Sequence, residues 1–159
     1  MTRLIRFVDQ ILAGALIAFM ALLVINVIWQ VASRYLLDDP SSFTEEVARF
    51  LLLWIGLLGG CYAYRTRSHL GLDLLTQTLS NTAQRWVSGF VLAVIVLFAL
   101  AVLTYGGGRL VWLTLELKQT SAALGIPMGY IYTVLPLSGI LITFYSVVLW
   151  QSEVEEEES

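Results

Sequence analysis

The sequence predicts an all-α integral membrane protein with four transmembrane helices, and three observations carry that expectation. Apolar residues make up 58% of the 159 and charged residues only 13%, against about half and about a quarter in soluble domains. Mean hydropathy is +0.79. Four apolar stretches, at about 11–33, 47–64, 86–105 and 127–150, are each near the roughly 20 helical residues that cross a hydrocarbon core of about 30 Å. They form a single four-helix membrane domain over 1–159, ending in an acidic tail, 151–159, that reads as solvated and disordered.

Arg3 and Arg6 precede the first stretch as they would a signal peptide. Its apolar run exceeds the roughly 7 to 15 residues of a signal core, and no small-residue cleavage pattern follows, so it is expected to remain as the first helix. Asn26, Gln30 and then Ser33 or Arg34 recur on it at helical spacing, one polar stripe on a greasy cylinder. Buried amides in lipid seek partners across helices. The stripe meets either another subunit or the chain's own helices, and the spacing leaves both open.

The second helix starts in "SSFTEEVARF". Ser42 with Glu45 three residues on is a capping-box pattern, Thr44 is a competing cap, and both Glu45 and Glu46 can reach Arg49 one turn later. Two acids and an arginine at the mouth of an apolar helix, near Arg34 and Tyr35 at the end of the first, make a charged belt that suggests a docking surface for a protein partner. Further along, Trp54 and the small residues Gly56, Gly59 and Gly60 suggest an intramembrane close-packing face. Cys61, the one cysteine, reads as a small packing residue and allows no internal disulfide.

Beyond the third stretch, "YGGGRLVWLTLELKQ" alternates Leu113, Leu115 and Leu117 with polar residues, a strand-like period. An isolated strand leaving a membrane would have unpaired backbone groups, so a helix continuing past a flexible triple glycine is the better expectation. In the fourth stretch Pro127 suits a first turn and Pro136 should kink the helix. Four crossings put both termini on one side, with Arg3, Arg6, Arg65, Arg67 and Arg85 there and Arg34, Arg49, Arg109 and Lys118 on the other. The excess of one basic residue makes the terminal side cytoplasmic by the positive-inside rule.

Missing chemistry narrows the function. With His69 the only histidine there is no pair of axial haem ligands, with one cysteine no thiol oxidase, and there is no Walker motif, metal-ligand cluster or nucleophile with its base. No enzyme and no metal site is expected. A stand-alone proton-coupled exporter needs a titratable group deep in a span, and none of the four stretches has one at mid-depth.

The stretch "RYLLDDPSSFTEEVARFLLLWIGLLGGCYAYRTRSHLGLDLL" resembles the hallmark region of the small membrane subunit (DctQ-like, Q subunit) of tripartite ATP-independent periplasmic (TRAP) transporters. The matching positions are Arg34, Tyr35, Glu45, Glu46, Ala48, Arg49, Phe50, Trp54, Gly59, His69 and Asp73; "GIPMGYIYTVLPLSG" resembles the family's opening of the fourth helix, with Pro136 at a second proline. Phe43 departs from the tryptophan common before the acids.

The resemblance implies a subunit of the bacterial inner membrane that transports nothing alone. It would brace a large membrane subunit that carries the substrate and sodium sites, and widen the docking platform for a periplasmic substrate-binding protein delivering an organic anion such as a dicarboxylate or sialic acid. No cofactor is implied in this chain, and its other contacts are membrane lipids, with no nucleic acid. Arg34, Tyr35, Glu45, Glu46 and Arg49 become a periplasmic belt, and His69 with Asp73, four residues on, a cytoplasmic tether between helix ends rather than a proton relay. The alternatives are a stand-alone four-helix exporter and a membrane assembly or regulatory factor.

Overall fold

The computed structural model describes residues 2–36, 42–66 and 81–157, and within them the side chains of 3–35, 42–66 and 86–150. His69 and Asp73, with Asp38 and Asp39, lie outside the described residues. The chain is all-α. Helix α1 runs Thr2–Leu36, α2 Ser42–Arg65, α3 Asn81–Phe98, a π-helical segment Ala99–Gly106, α4 Gly107–Glu116, α5 Met128–Tyr132 and α6 Val134–Glu157. Among the described residues four helical stretches are long and apolar enough to cross a membrane: Arg3–Tyr35, Ser42–Arg65, Trp86–Glu116 and Met128–Trp150.

Each span is bounded differently from the apolar runs alone. The first is 33 residues long, about 50 Å at 1.5 Å per residue, so Arg3, Arg6 and Asp9 ride on an extension of the same helix. The third continues unbroken through the triple glycine to Glu116, because α3, the π segment and α4 follow one another without a gap. Leu113 and Leu115 are therefore helical, and the glycines are no flexible joint. The described backbone of α6 continues as helix past Trp150 to Glu157.

The fourth span is interrupted as its prolines require. Pro127, at φ −59° and ψ 122°, is the extended residue just before α5. Pro136 has no N–H for the carbonyl of Tyr132, and its ring crowds that turn. The helix breaks at Thr133, between α5 and α6, where the Thr133 N–H and hydroxyl both turn back to the Tyr130 carbonyl at 3.4 and 2.6 Å.

The packing order is not the chain order. The first span lies along the second, the second along the fourth, and the fourth along the third, giving an open row in the sequence 1–2–4–3. The fourth span is the most buried and the first the least. Its core joins Leu12, Leu58, Cys61, Val134 and Tyr145 from spans one, two and four.

Glycine sets the approach of spans three and four. A Cβ on Gly107 would stand 2.6 Å from Leu135 Cβ, on Gly129 2.6 Å from Leu115 Cδ2, and on Gly139 2.7 Å from the Ala99 carbonyl oxygen. By contrast a Cβ on Gly56 or Gly60 meets nothing within 4 Å, and on Gly59 only Leu16 at 3.9 Å. Within the chain the close approaches are therefore made by Gly107, Gly129 and Gly139, and Gly56 and Gly60 meet no other part of it. Gly56 and Gly60 are four apart on the exposed side of α2, so spacing alone did not identify a contact.

Candidate functional site

The belt at the start of α2 divides into two separate arrangements. Arg49 Nη2 donates to Glu45 Oε1 at 3.0 Å, an i, i+4 pair with side chains 72% and 65% exposed. Such a pair contributes a few tenths of a kcal/mol. Glu46 does not join it. Its carboxylate instead accepts the backbone N–H groups of Ala122 at 3.0 Å, Ala123 at 3.0 Å and Leu124 at 2.9 Å. The expectation that both acids hold Arg49 is therefore corrected: one acid holds the arginine and the other clasps a segment 76 residues away.

The physical reason lies in that segment. Ser121 to Gly125 closes a single helical turn, with Gly125 N–H on the Ser121 carbonyl at 3.1 Å, and Gly125 ends it at φ +66°. A one-turn helix has N–H groups at its start with no intrahelical acceptor. Glu46 supplies the acceptor from another helix. The turn is closed from below by Ser121 N–H to Ile126 O and Met128 N–H to Gln119 O, both 2.8 Å, around a bridge of Thr120 with Pro127. At the cap itself, α2 starts at Ser42, so the residue expected to cap the helix is its first member.

Arg34 and Tyr35 are exposed, Tyr35 by 78%, and among the described residues neither bonds to Glu45, Glu46 or Arg49. The polar stripe of the first helix turns inward. Asn26 Nδ2 donates to the Thr44 carbonyl at 2.7 Å, and Gln30 and Ser33 are half-buried and buried on the same face. Of the two readings of that stripe, contact with the chain's own second helix is the one the geometry fits.

Below the clasp, α2 is stitched to the fourth span at three levels. Trp54 Nε1 donates to the Ile131 carbonyl at 3.1 Å, within the broken start of that span, while its ring meets Phe19 edge-on at 5.8 Å. Cys61 Sγ, fully buried, donates to the Ser138 carbonyl at 3.5 Å. Tyr64 and Ser146 share a 2.9 Å hydrogen bond, and because the Ser146 hydroxyl donates to Ile142 O, Tyr64 is the donor.

A cluster at the terminal end escaped the sequence reading. Asp9 Oδ1 accepts the Tyr145 hydroxyl at 2.8 Å, and Oδ2 lies 3.5 Å from Arg65 Nε, which is buried and makes no hydrogen bond among the described residues. Three spans meet there. Asp9 precedes the apolar run at 11–33, outside the stretch that apolar length alone marks as a span. The signal was periodicity: Asp9, Leu12, Leu16, Phe19, Asn26, Gln30 and Ser33 share one helical face. Among the described residues no three His, Cys, Asp or Glu side chains converge as a metal would need.

Polar groups used to join helices, on a row of long apolar spans, define a multi-pass membrane protein. The family described as "Tripartite ATP-independent periplasmic transporters, DctQ component" matches residues 23–155. The chain belongs to that family and is a TRAP transporter subunit. It is 28% identical over 147 residues to the sialic acid TRAP transporter small permease protein SiaQ of Vibrio cholerae, covering 89% of this chain and 79% of that one. It is 26% identical over 102 residues to the C4-dicarboxylate TRAP transporter small permease protein DctQ of Rhodobacter capsulatus, covering 64% and 44%. Against the isethionate TRAP transporter permease protein DctMQ of Oleidesulfovibrio alaskensis it is 28% identical over 134 residues, covering 83% of this chain but 21% of the relative. There the homologous region is part of a much longer polypeptide.

Proposed function

We propose that this chain braces the large membrane subunit of a TRAP transporter for an organic anion and contributes to the platform on which a periplasmic substrate-binding protein docks. The observation that carries the reading is the fixing of α2 to the fourth span at three levels, by Trp54, Cys61 and Tyr64, and to the segment just before that span by Glu46. Each interhelical hydrogen bond in lipid contributes about 0.5–2 kcal/mol, and a set of them along one seam gives a stiff element. A stiff element is what a moving transport domain needs beside it.

The bilayer is the inner membrane, both termini are cytoplasmic, and the Glu46 clasp faces the periplasm. Sodium and substrate are bound by the large subunit, with no cofactor in this one. The named substrates of the relatives, sialic acid, a C4-dicarboxylate and isethionate, are all organic anions, which is the class assigned here. The stand-alone exporter is the weaker reading, since Asp9 sits six residues from the start of a 33-residue span, about 9 Å in, and is held by Tyr145.

The test is a mild-detergent pull-down of the tagged chain from its native membrane with mass spectrometry. Stoichiometric recovery of a large polytopic protein supports the reading. Recovery of the chain alone, while other complexes survive, overturns it.

A further inference from the structure

We propose that the π-helical segment Ala99–Gly106 is a hinge in the third span. The arm from Trp86 to Phe98 swings on it toward and away from the end of the fourth span, while the part beyond Gly107 stays fixed. The motion belongs to this chain and stands apart from the transporter reading.

The two halves of the span are held very differently. From the π segment toward Glu116, Ala99, Leu103, Gly107 and Thr114 are buried. Gly107 and Gly139 bring the two spans into close contact there, and the Glu46 clasp fixes the link that follows. From Trp86 to Phe98 no side chain is buried. Contacts with the fourth span are dense along the π segment and sparse on the arm. The arm and the fourth span part around an apolar groove of about 510 Å³, lined by Trp86, Gly89, Phe90 and Trp150. A Cβ on Gly89 would meet nothing within 4 Å. In water the hydrophobic effect would drive such a groove shut. Lipid tails are as apolar as the side chains, so in a bilayer only packing could hold the arm, and across the groove that packing is missing.

The pivot is a place where a helix yields. In a π turn each N–H bonds the carbonyl five residues back instead of four, and such bulges are where helices kink and where functional sites gather. Here the Thr104 hydroxyl adds a bond to the Ala99 carbonyl, five residues back and 2.9 Å away. Gly139 lies against both groups: a Cβ on it would stand 2.7 Å from that carbonyl oxygen and 2.8 Å from the Thr104 nitrogen. The wide turn is therefore seated on the fourth span, and the arm leaves from its free edge. Exchanging a five-back bond for a four-back one at that edge redirects the arm and disturbs few other contacts, since few lie beyond Phe98.

Spin-label distances in the full-length chain in lipid nanodiscs test the hinge. Ser88→Cys with Val147→Cys spans the groove, and Leu110→Cys with Tyr130→Cys spans the fixed half; all four positions are exposed, whereas Cys61 is fully buried and stays unlabelled. The groove pair is expected to give a distance distribution at least about twice as wide as the other pair. Deletion of Leu100, an exposed residue of the π segment, removes the extra residue and lets four-back bonding run through. It is expected to narrow the groove pair to the width of the fixed pair. Equal widths for the two pairs in the undeleted chain overturn the proposal, and so does a folded deletion variant that keeps the broad distribution. If the deletion variant does not fold, the comparison of the two pairs decides alone.

Discussion

Trp54 in the second helix donates its indole N–H to the carbonyl of Ile131, 3.1 Å away in the interrupted start of the fourth span. The bond joins a side chain to the backbone at the place where Pro136 has weakened the helix. Trp54→Phe should keep the edge-on contact with Phe19 and lose only the donor. The expected cost is about 0.5–2 kcal/mol, read as a lowered thermal midpoint of the purified protein. An unchanged midpoint would mean that the carbonyl finds water or another donor.

The glycines separate cleanly by what lies above them. In Gly139→Ala the new Cβ would meet Thr104 Oγ1 and the Ala99 carbonyl, with backbone on both sides of the contact. Overpacking of this kind costs about 1–3 kcal/mol. Gly56→Ala meets nothing within 4 Å and gains helix propensity, so the isolated chain should be as stable as wild type or slightly more so. Melting curves of the two variants in one detergent compare them directly. Equal losses would show that the third and fourth spans have room to slide apart.

Asp9 ties the first helix to the fourth through Tyr145 and faces Arg65. Asp9→Asn keeps an acceptor for the Tyr145 hydroxyl and should be tolerated better than Asp9→Ala. The alanine leaves a hydroxyl of a fully buried residue unpaired, at about 1–3 kcal/mol. Cysteine cross-linking between the first and fourth spans gives a second readout, since the alanine variant should lose yield at that end. Matching behaviour of the two variants would mean the hydrogen bond matters less than the charge.

Arg49→Ala leaves Glu45 alone uncompensated, because Glu46 is engaged elsewhere. Both members of the pair are mostly exposed, so the isolated chain should lose no more than about 0.5 kcal/mol. Any larger loss of assembly or uptake in the complete transporter then reports a contact with another subunit. Denaturation of the chain beside co-purification of the complex distinguishes the two.

The fold was legible in the sequence because bilayer thickness and apolar run length are tied by simple geometry, and Pro136 marked its own kink. The belt residues were visible as charges, but charge pairing was read from neighbours in sequence. Glu46 and Arg49 are three apart and Glu45 and Arg49 four apart, so both pairings were open. What decided between them was a turn at 121–125 whose free N–H groups come near only after spans two and four pack. The glycines that close-pack within the chain were hidden for the same reason. Gly56 and Gly60 carry the familiar spacing, whereas Gly107, Gly129 and Gly139 lie on different segments and become a set only when the spans are placed side by side.

The 1–2–4–3 row has a consequence for how the chain is made. As helices enter the membrane in order, the first two can pair at once. The third arrives with its packing partner still unsynthesised, and it must wait in lipid until the fourth emerges and the Glu46 turn between them closes. Biogenesis therefore proceeds as two hairpins that dock along one seam, and a stall in translation after residue 116 would strand a helix with nothing to lean on.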